Sequence, residues 1–273
     1  MEIKAAQVME LRKATNAGMM SCKKALQEAE GDFEKAVDII REKGLAVAAK
    51  RADRDAKEGC VLAVFEGTKG AIVSLNSETD FVAKNADFIA FTQEILDIAV
   101  ENMPADKESL LKTNMKDGRS VEQNISEKVG IIGEKLELDF YAALSAEAGV
   151  AYIHPGNKLA SIVSFNKEAD DQVKRDISMQ VAAMAPIALD KDGVPEDVKE
   201  HELKIGKEKA REEGKPENML DKIALGRLNK FFKEATLLNQ DFVKDAKLSI
   251  KDYLKQNDKD LTIVAFERYS LDA

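Results

Sequence analysis

The 273-residue sequence contains no tryptophan, two cysteines, two histidines and five prolines, and aromatic residues make up only 5% of it. Each scarcity removes a class of chemistry. Cys22 and Cys60 lie far apart and form no Cys-x-x-Cys pair, so neither a disulfide framework nor a thiol-rich zinc site is expected, and both read as reduced thiols in the cytoplasm. His154 and His201 are the only imidazoles, too few for a histidine-based triad or metal cluster. No apolar run approaches the roughly 20 residues that cross a bilayer. The opening "MEIKAAQVMELRKA" carries charge throughout, unlike a secretion signal, so a soluble, unexported chain without a membrane partner is expected. Positive charge is not in excess either. With 41 Lys and Arg against 50 Asp and Glu the net charge is −9, which argues against direct nucleic-acid binding as the main role. No glycine-rich dinucleotide fingerprint, Walker-type lysine loop or nucleophile elbow occurs, so no cofactor and no covalent catalysis are expected.

What the sequence does contain is aliphatic and helical. Val8, Leu11 and Ala14 fall on one helical face, and "NAGMMSC" breaks the pattern. Ser21 is placed to cap a second helix carrying Ala25 and Leu26, and Phe33, Ala36, Val37 and Ile40 mark a third that ends at Gly44. The alanine-rich "LAVAAKRADRDAKEG" that follows suits a helical linker.

Beyond it lies an internal repeat. "GCVLAVFEGTKGAIVSLNSETD" from Gly59 matches "GVAYIHPGNKLASIVSFNKEAD" from Gly149 at a constant offset of 90, shown by Ile72 with Ile162, Asn76 with Asn166 and Asp80 with Asp170. Each copy reads as two strands around a turn, Lys69-Gly70 in the first and Pro155-Gly156-Asn157 in the second, then a helix after an acidic cluster. Each closes with an amphipathic helix and a strand, "KLELDFYAAL" and "LTIVAFERYSL". Sixty residues separate Asn76 from Leu136 but 95 separate Asn166 from Leu261, an insertion of 35. Two helical patterns flanking Gly214-Lys215-Pro216 assign it to a projecting antiparallel hairpin, with Val198, Leu203 and Ile205 facing Met219, Ile223 and Leu228. The fold class is therefore α+β: an N-terminal three-helix module with its linker over 1–54, then a duplicated ββα…αβ core divided into 55–145 and 146–273. The helical hairpin is inserted in the second repeat at about 190–235.

Two sites carry apolar side chains where solvent is the usual neighbour. In "NSETDFVAKN" the acids Glu78 and Asp80 have counterparts in Glu168 and Asp170 and read as helix-capping groups, whereas Phe81 corresponds to Asp171 and is not demanded by the shared architecture. Phe81 sits seven residues before Phe88, roughly on the same helical face; it either protrudes or closes the core edge as a hydrophobic staple. At Met19-Met20 one methionine packs into the module and the other serves a surface, or both fill the core. Without further convergent groups Glu78 and Asp80 make neither a magnesium site nor an acid-base pair.

The segments "ELRKATNAGMMSCKKALQEAEGDFEKA" and "ETDFVAKN", in this order and ahead of a duplicated core with an inserted hairpin, resemble the elongation factor Ts family from end to end. That resemblance implies a guanine nucleotide exchange factor for elongation factor Tu, GDP-bound and nucleotide-free, whose first module is ubiquitin-associated-like and docks through Leu11, Arg12, Met19 and Met20. It implies that Thr79, Asp80, Phe81 and Val82 form the segment that pushes between two helices of the partner beside its magnesium site, with Phe81 as the wedge. Asn16 stands where many relatives carry Gly, and Ser21 where many carry Asp, both at helix boundaries. The chain stops at Ala273 without the C-terminal helical module of some members, so binding is expected to lean on the first module and the core. The alternative is a helical adaptor or RNA-associated protein that exchanges nothing.

Overall fold

A computed structural model describes residues 3–15 and 17–272, so Asn16 and Ala273 lie outside the described residues. Three helices open the chain, α1 (Ala5–Thr15), α2 (Met19–Glu28) and α3 (Phe33–Arg51). Val8 and Leu11, Cys22, Ala25 and Leu26, and Ala36 and Ile40 close on one small core. Helix α2 begins at Met19 with Gly18 as its N-cap, so Ser21 lies inside the helix and caps nothing. Gly31, at φ 86, supplies the left-handed turn into α3, which Asp32 caps by accepting from the Lys35 amide at 3.1 Å.

The expected stop at Gly44 is not found. Helix α3 runs through it because Gly44 faces Gly130 on α7 (Val121–Ile132), where a Cβ on Gly130 would come within 2.2 Å of the Gly44 Cα. Two missing side chains let the backbones touch, and that packing offsets the roughly 1 kcal/mol helix penalty of glycine. The stretch expected as a helical linker is helical only over 45–51, where it continues α3 with Val47 and Ala48 against the core, and its remainder leads through a turn into the first strand.

The strands form two small antiparallel sheets. β1 (Glu58–Glu66), β2 (Lys69–Ser77) and β3 (Leu136–Ser145) pair in that order, as do β4 (Ala148–Ile153), β5 (Leu159–Phe165) and β8 (Ile263–Ser270). The first hairpin turns at Gly67, φ 56, and Thr68, ahead of the expected Lys69-Gly70, because Lys69 already pairs with Glu66. The second turns through Gly156 and Asn157, both at positive φ. Val61, Ala63 and Ile72 of one sheet meet Ala160 and Ile162 of the other. On the outer face of the first sheet lie α5 (Ala86–Asn102) and α7; on that of the second lie α8 (Asp171–Met184) and α11 (Ile250–Asn257). Being covered on both faces, β2 and β5 are buried along nearly their whole length and β1 over Gly59 to Ala63, and their sequences are apolar runs broken only by small or polar residues such as Ser74 and Ser164.

Register breaks at Ser74/Leu75 and at Ser164/Phe165, leaving Asp139 of β3 and Val264 of β8 as the extra residues of two β-bulges. The Phe65 ring joins the sheets: a Cβ on Gly70 or Gly149 would lie 2.4 or 2.1 Å from it.

Helices α9 (Glu196–Glu212) and α10 (Leu220–Ala235) form the antiparallel hairpin, turning at Gly214 with φ 72. Its seam differs from expectation. Gly206 meets Ala224 backbone to backbone, and Ala210, Leu220 and Leu228 are buried on the same two helices, whereas Met219 is exposed because it precedes α10 as its N-cap and does not lie on the helix. The base is tied by Ile187 and Leu237, whose amides donate to the Ala235 and Ala188 carbonyls at 2.9 Å each. Helices α4 (Asp80–Ala83) and α6 (Lys107–Lys112) and the hairpin of β6 (Asp241–Phe242) with β7 (Asp245–Ser249) complete the chain, the last two elements unanticipated by sequence pattern. Among the described residues no helix is long and apolar enough to cross a membrane.

A methyl at position 130 has nowhere to go, since its neighbour is backbone. Gly130→Ala is expected to destabilise the protein by about 1–3 kcal/mol. Gly226→Ala, on α10 with open space around it, should instead add up to about 1 kcal/mol. Chemical denaturation of both variants checks the contrast.

Candidate partner interface

Strand β2 ends at Ser77, and the chain makes a single helical turn, α4, before Asn85 caps α5 by accepting from the Asp87 amide at 2.8 Å. Thr79 caps α4, its hydroxyl oxygen accepting from the Val82 amide at 3.5 Å. So short a helix can turn only part of its surface inward. Ala83 is buried and Val82 half-buried, while Phe81 is 84% exposed, the most exposed large apolar side chain among the described residues. The expected shared face with Phe88 does not exist: α4 and α5 are separate helices, and Phe88 is in the core. Of the two readings open for Phe81, the staple is the one this geometry overturns.

Of the two acids expected at this helix start, Asp80 stands in the first turn of α4 behind the Thr79 cap, whereas Glu78 is engaged elsewhere. Glu78 accepts from the Lys135 amide at 2.6 Å and from Arg51 Nη1 at 2.7 Å. Those contacts, the amide foremost, hold its carboxyl below the usual glutamate range. Asp80 pairs with Lys84 at 2.6 Å, and the Lys84 ammonium likewise lowers its carboxyl. In the second half Asp170 does cap α8, accepting from the Gln172 amide at 2.8 Å, while Glu168 pairs with Lys174. Both pairs of acids are thus engaged within the chain. Burial pushes the Cys60 thiol up to about 11, leaving it little thiolate character near neutral pH.

On the N-terminal helices, Met19 and Met20 are 50% and 64% exposed on the first turn of α2. Both therefore face solvent to a large degree, neither being sealed in the core. Arg12 is exposed on α1. Leu11 is not available as a contact: it is fully buried, and its role is to hold α1 so that Arg12 points out. A cleft of about 480 Å³ runs between α1 and the core, lined by Arg12, Val82, Phe88, Phe91, Lys128 and Ile132. Arg12 and Val82, 70 residues apart, thus line one cavity.

The chain matches the sequence profile of the family described as Elongation factor TS over residues 78–273. It is 52% identical to the elongation factor Ts of Porphyromonas gingivalis over 266 residues, 97% of each chain, and 51% identical to that of Christiangramia forsetii over 274 residues, 99% of each. The elongation factor Ts of Bacteroides fragilis is 42% identical over the full length of both. The chain belongs to the elongation factor Ts family. That family comprises the translation elongation proteins that exchange nucleotide on elongation factor Tu.

Sequence reasoning missed one apolar surface. Met184, Ile187 and Val264 are exposed around a cleft of about 470 Å³ between the end of α8 and β8. Val264 faces out because it is the bulged residue of β8, a feature that strand alternation alone hides.

The Glu78 pairing ties β2 to the α7–β3 junction and should appear in the pH dependence of stability. Its folded-state pKa lies below the ordinary 4.5, so the stabilisation is complete above that pH and is lost as pH falls through the lower folded value. Glu78→Gln is expected to lower stability at neutral pH, with the gap to the parent closing below pH 4.5. Urea titrations across pH 3–7 measure it.

Proposed function

We propose that this chain docks on GDP-bound elongation factor Tu and promotes release of GDP and magnesium so that GTP can bind, with Phe81 as the wedge. The observation carrying this reading is the phenylalanine held 84% exposed on a one-turn helix. A partner that buries it gains roughly 1.5–3 kcal/mol, and every 1.4 kcal/mol of strain passed to the nucleotide site weakens nucleotide binding about tenfold. Coupling of this kind is reciprocal: bound GDP with magnesium weakens the factor as much as the factor weakens them. One ring therefore accounts for about one to two powers of ten, and the grip that holds it against the partner must come from other surfaces.

Arg12, Met19 and Met20 supply that grip on one side, and the exposed Met184, Ile187 and Val264 supply it on the other. Thr79, Asp80 and Val82 set the wedge's direction. In this reading the first 54 residues form a ubiquitin-associated-like module, and 55–145 and 146–273 are duplicated halves, the second interrupted by the hairpin. The two bulges, at Ser74 and Ser164 on the β2 and β5 side, support the duplication because they keep the offset of 90. The protein works in the cytoplasm, on a protein partner and not on nucleic acid.

Phe81→Ala is expected to slow stimulated release of labelled GDP from elongation factor Tu by about tenfold or more with the fold intact by circular dichroism; unchanged release removes the wedge. Met19→Ala with Met20→Ala should raise the dissociation constant of the complex by about tenfold in calorimetry while leaving Tm unchanged. Association that excess GDP and magnesium fail to weaken would favour the adaptor reading over exchange.

A further inference from the structure

Nothing in the apolar effect keeps Phe81 in water. Beside it lies a cleft in which Val82, Phe88, Phe91 and Ile132 stand among the charged Arg12, Asp87, Glu94 and Lys128, and its apolar side chains offer the ring an alternative contact within its own chain. What opposes collapse is a reciprocal clasp between two pairs of residues. The Thr79 amide donates to Glu134 Oε2 at 3.0 Å and the Thr79 hydroxyl to Glu134 Oε1 at 2.7 Å, so both oxygens of one carboxylate grip the residue that starts α4. In return the Lys135 amide donates to Glu78 Oε1 at 2.6 Å, and Arg51, the last residue of α3, donates to the same oxygen at 2.7 Å. The Ser77 hydroxyl adds a bond to the Thr79 carbonyl at 3.0 Å.

Glu134 can reach Thr79 because Gly133, at φ 81, ends α7 and swings the following residue across to the end of β2. Charge-assisted bonds of this kind are short and directional, so they fix the direction of the turn and not merely its presence. Arg51 extends the same brace to α3, the helix that carries the N-terminal helices and is seated on α7 by the Gly44–Gly130 contact.

We infer that Glu134 is a positioning residue for nucleotide exchange: its carboxylate clamps Thr79 and thereby holds Phe81 in solvent, away from the neighbouring cleft and ready for the partner. The inference rests on the wedge reading of Phe81 and goes beyond it by assigning the group that presents the wedge. Glu134 acts through Thr79. Its loss should change how often Phe81 is correctly aimed, and so the maximal rate, more than the concentration at which the factor saturates.

The test is stopped-flow release of a fluorescent GDP analogue from elongation factor Tu over a range of concentrations of the full-length chain. Glu134→Ala should lower the maximal rate by about tenfold with half-saturation moved less than about threefold, and Glu134→Gln, which can still accept from the amide and bond the hydroxyl, should stay within about threefold of the parent. In the Phe81→Ala background Glu134→Ala should cost nothing more, since the group it positions is gone. Fluorine NMR of the chain carrying para-fluorophenylalanine at position 81 should show a solvent-exposed ring in the parent and in Glu134→Gln, and a buried or broadened one in Glu134→Ala. Should Glu134→Ala fail to fold, Thr79→Val, which removes the hydroxyl arm of the clasp together with the α4 cap but keeps the amide arm, should act in the same direction and more weakly. A normal maximal rate or an unmoved fluorine resonance in Glu134→Ala, with Phe81→Ala still slow, overturns the positioning role and leaves the wedge standing. Further slowing in the double variant also overturns it. Normal release by Phe81→Ala overturns the wedge, and the inference with it.

Discussion

The contact on which the structure depends is the face-to-face stacking of its two small sheets through Val61, Ala63, Ile72, Ala160 and Ile162. A small sheet gains stability only by packing its apolar faces against other elements. Here each sheet supplies the other's second cover, and helices supply the outer ones. Only with both faces dry can strands as apolar as "CVLAVF" and "AIVSL" exist without becoming aggregation sites, and only then are the strand ends rigid enough to carry a functional turn. The Phe65 ring, filling the space above Gly70 and Gly149, fastens the two layers at one end.

Outward from that stack the architecture becomes a chain of close approaches. The Gly44–Gly130 contact seats α3 on α7, α7 ends at Gly133, and the residues just beyond it meet the end of β2. Through this series the N-terminal helices, with Met19 and Met20 in solvent, and the turn bearing Phe81 are held on one framework. A protein that pries open a partner needs such a framework. Force applied through a side chain on a compliant loop would deform the loop before it deformed the partner, and the exposed ring is useful only in proportion to the rigidity of what stands behind it.

Much of this was legible in the residues. The offset of 90 revealed two matching strand pairs because strands covered on both faces need long apolar runs bounded by turns, and two such runs leave a pattern hard to miss. The hairpin was legible because Gly214-Lys215-Pro216 breaks a strongly charged helical sequence. Errors arose where a local rule met a tertiary contact. Gly44 looked like a helix end, since glycine usually is one, and Ser21 looked like a cap, since serine usually is one. Met219, expected on the hairpin seam, is exposed because the second helix starts one residue later than the apolar pattern suggests.

By itself the sequence determined the order of the main helices and strands and the presence of an unaccounted phenylalanine after two acids. These are properties of composition and spacing along the chain, and they follow from the periods of helix and strand. Only the tertiary structure decided that Phe81 faces water, that Leu11 does not, that Glu78 serves Lys135 and Arg51 in place of a helix end, and that Glu134 holds Thr79 from 55 residues away. Exposure and long-range hydrogen bonding depend on which surfaces meet when the layers close. No local pattern records that, because the same dipeptide is buried or bare according to what folds over it.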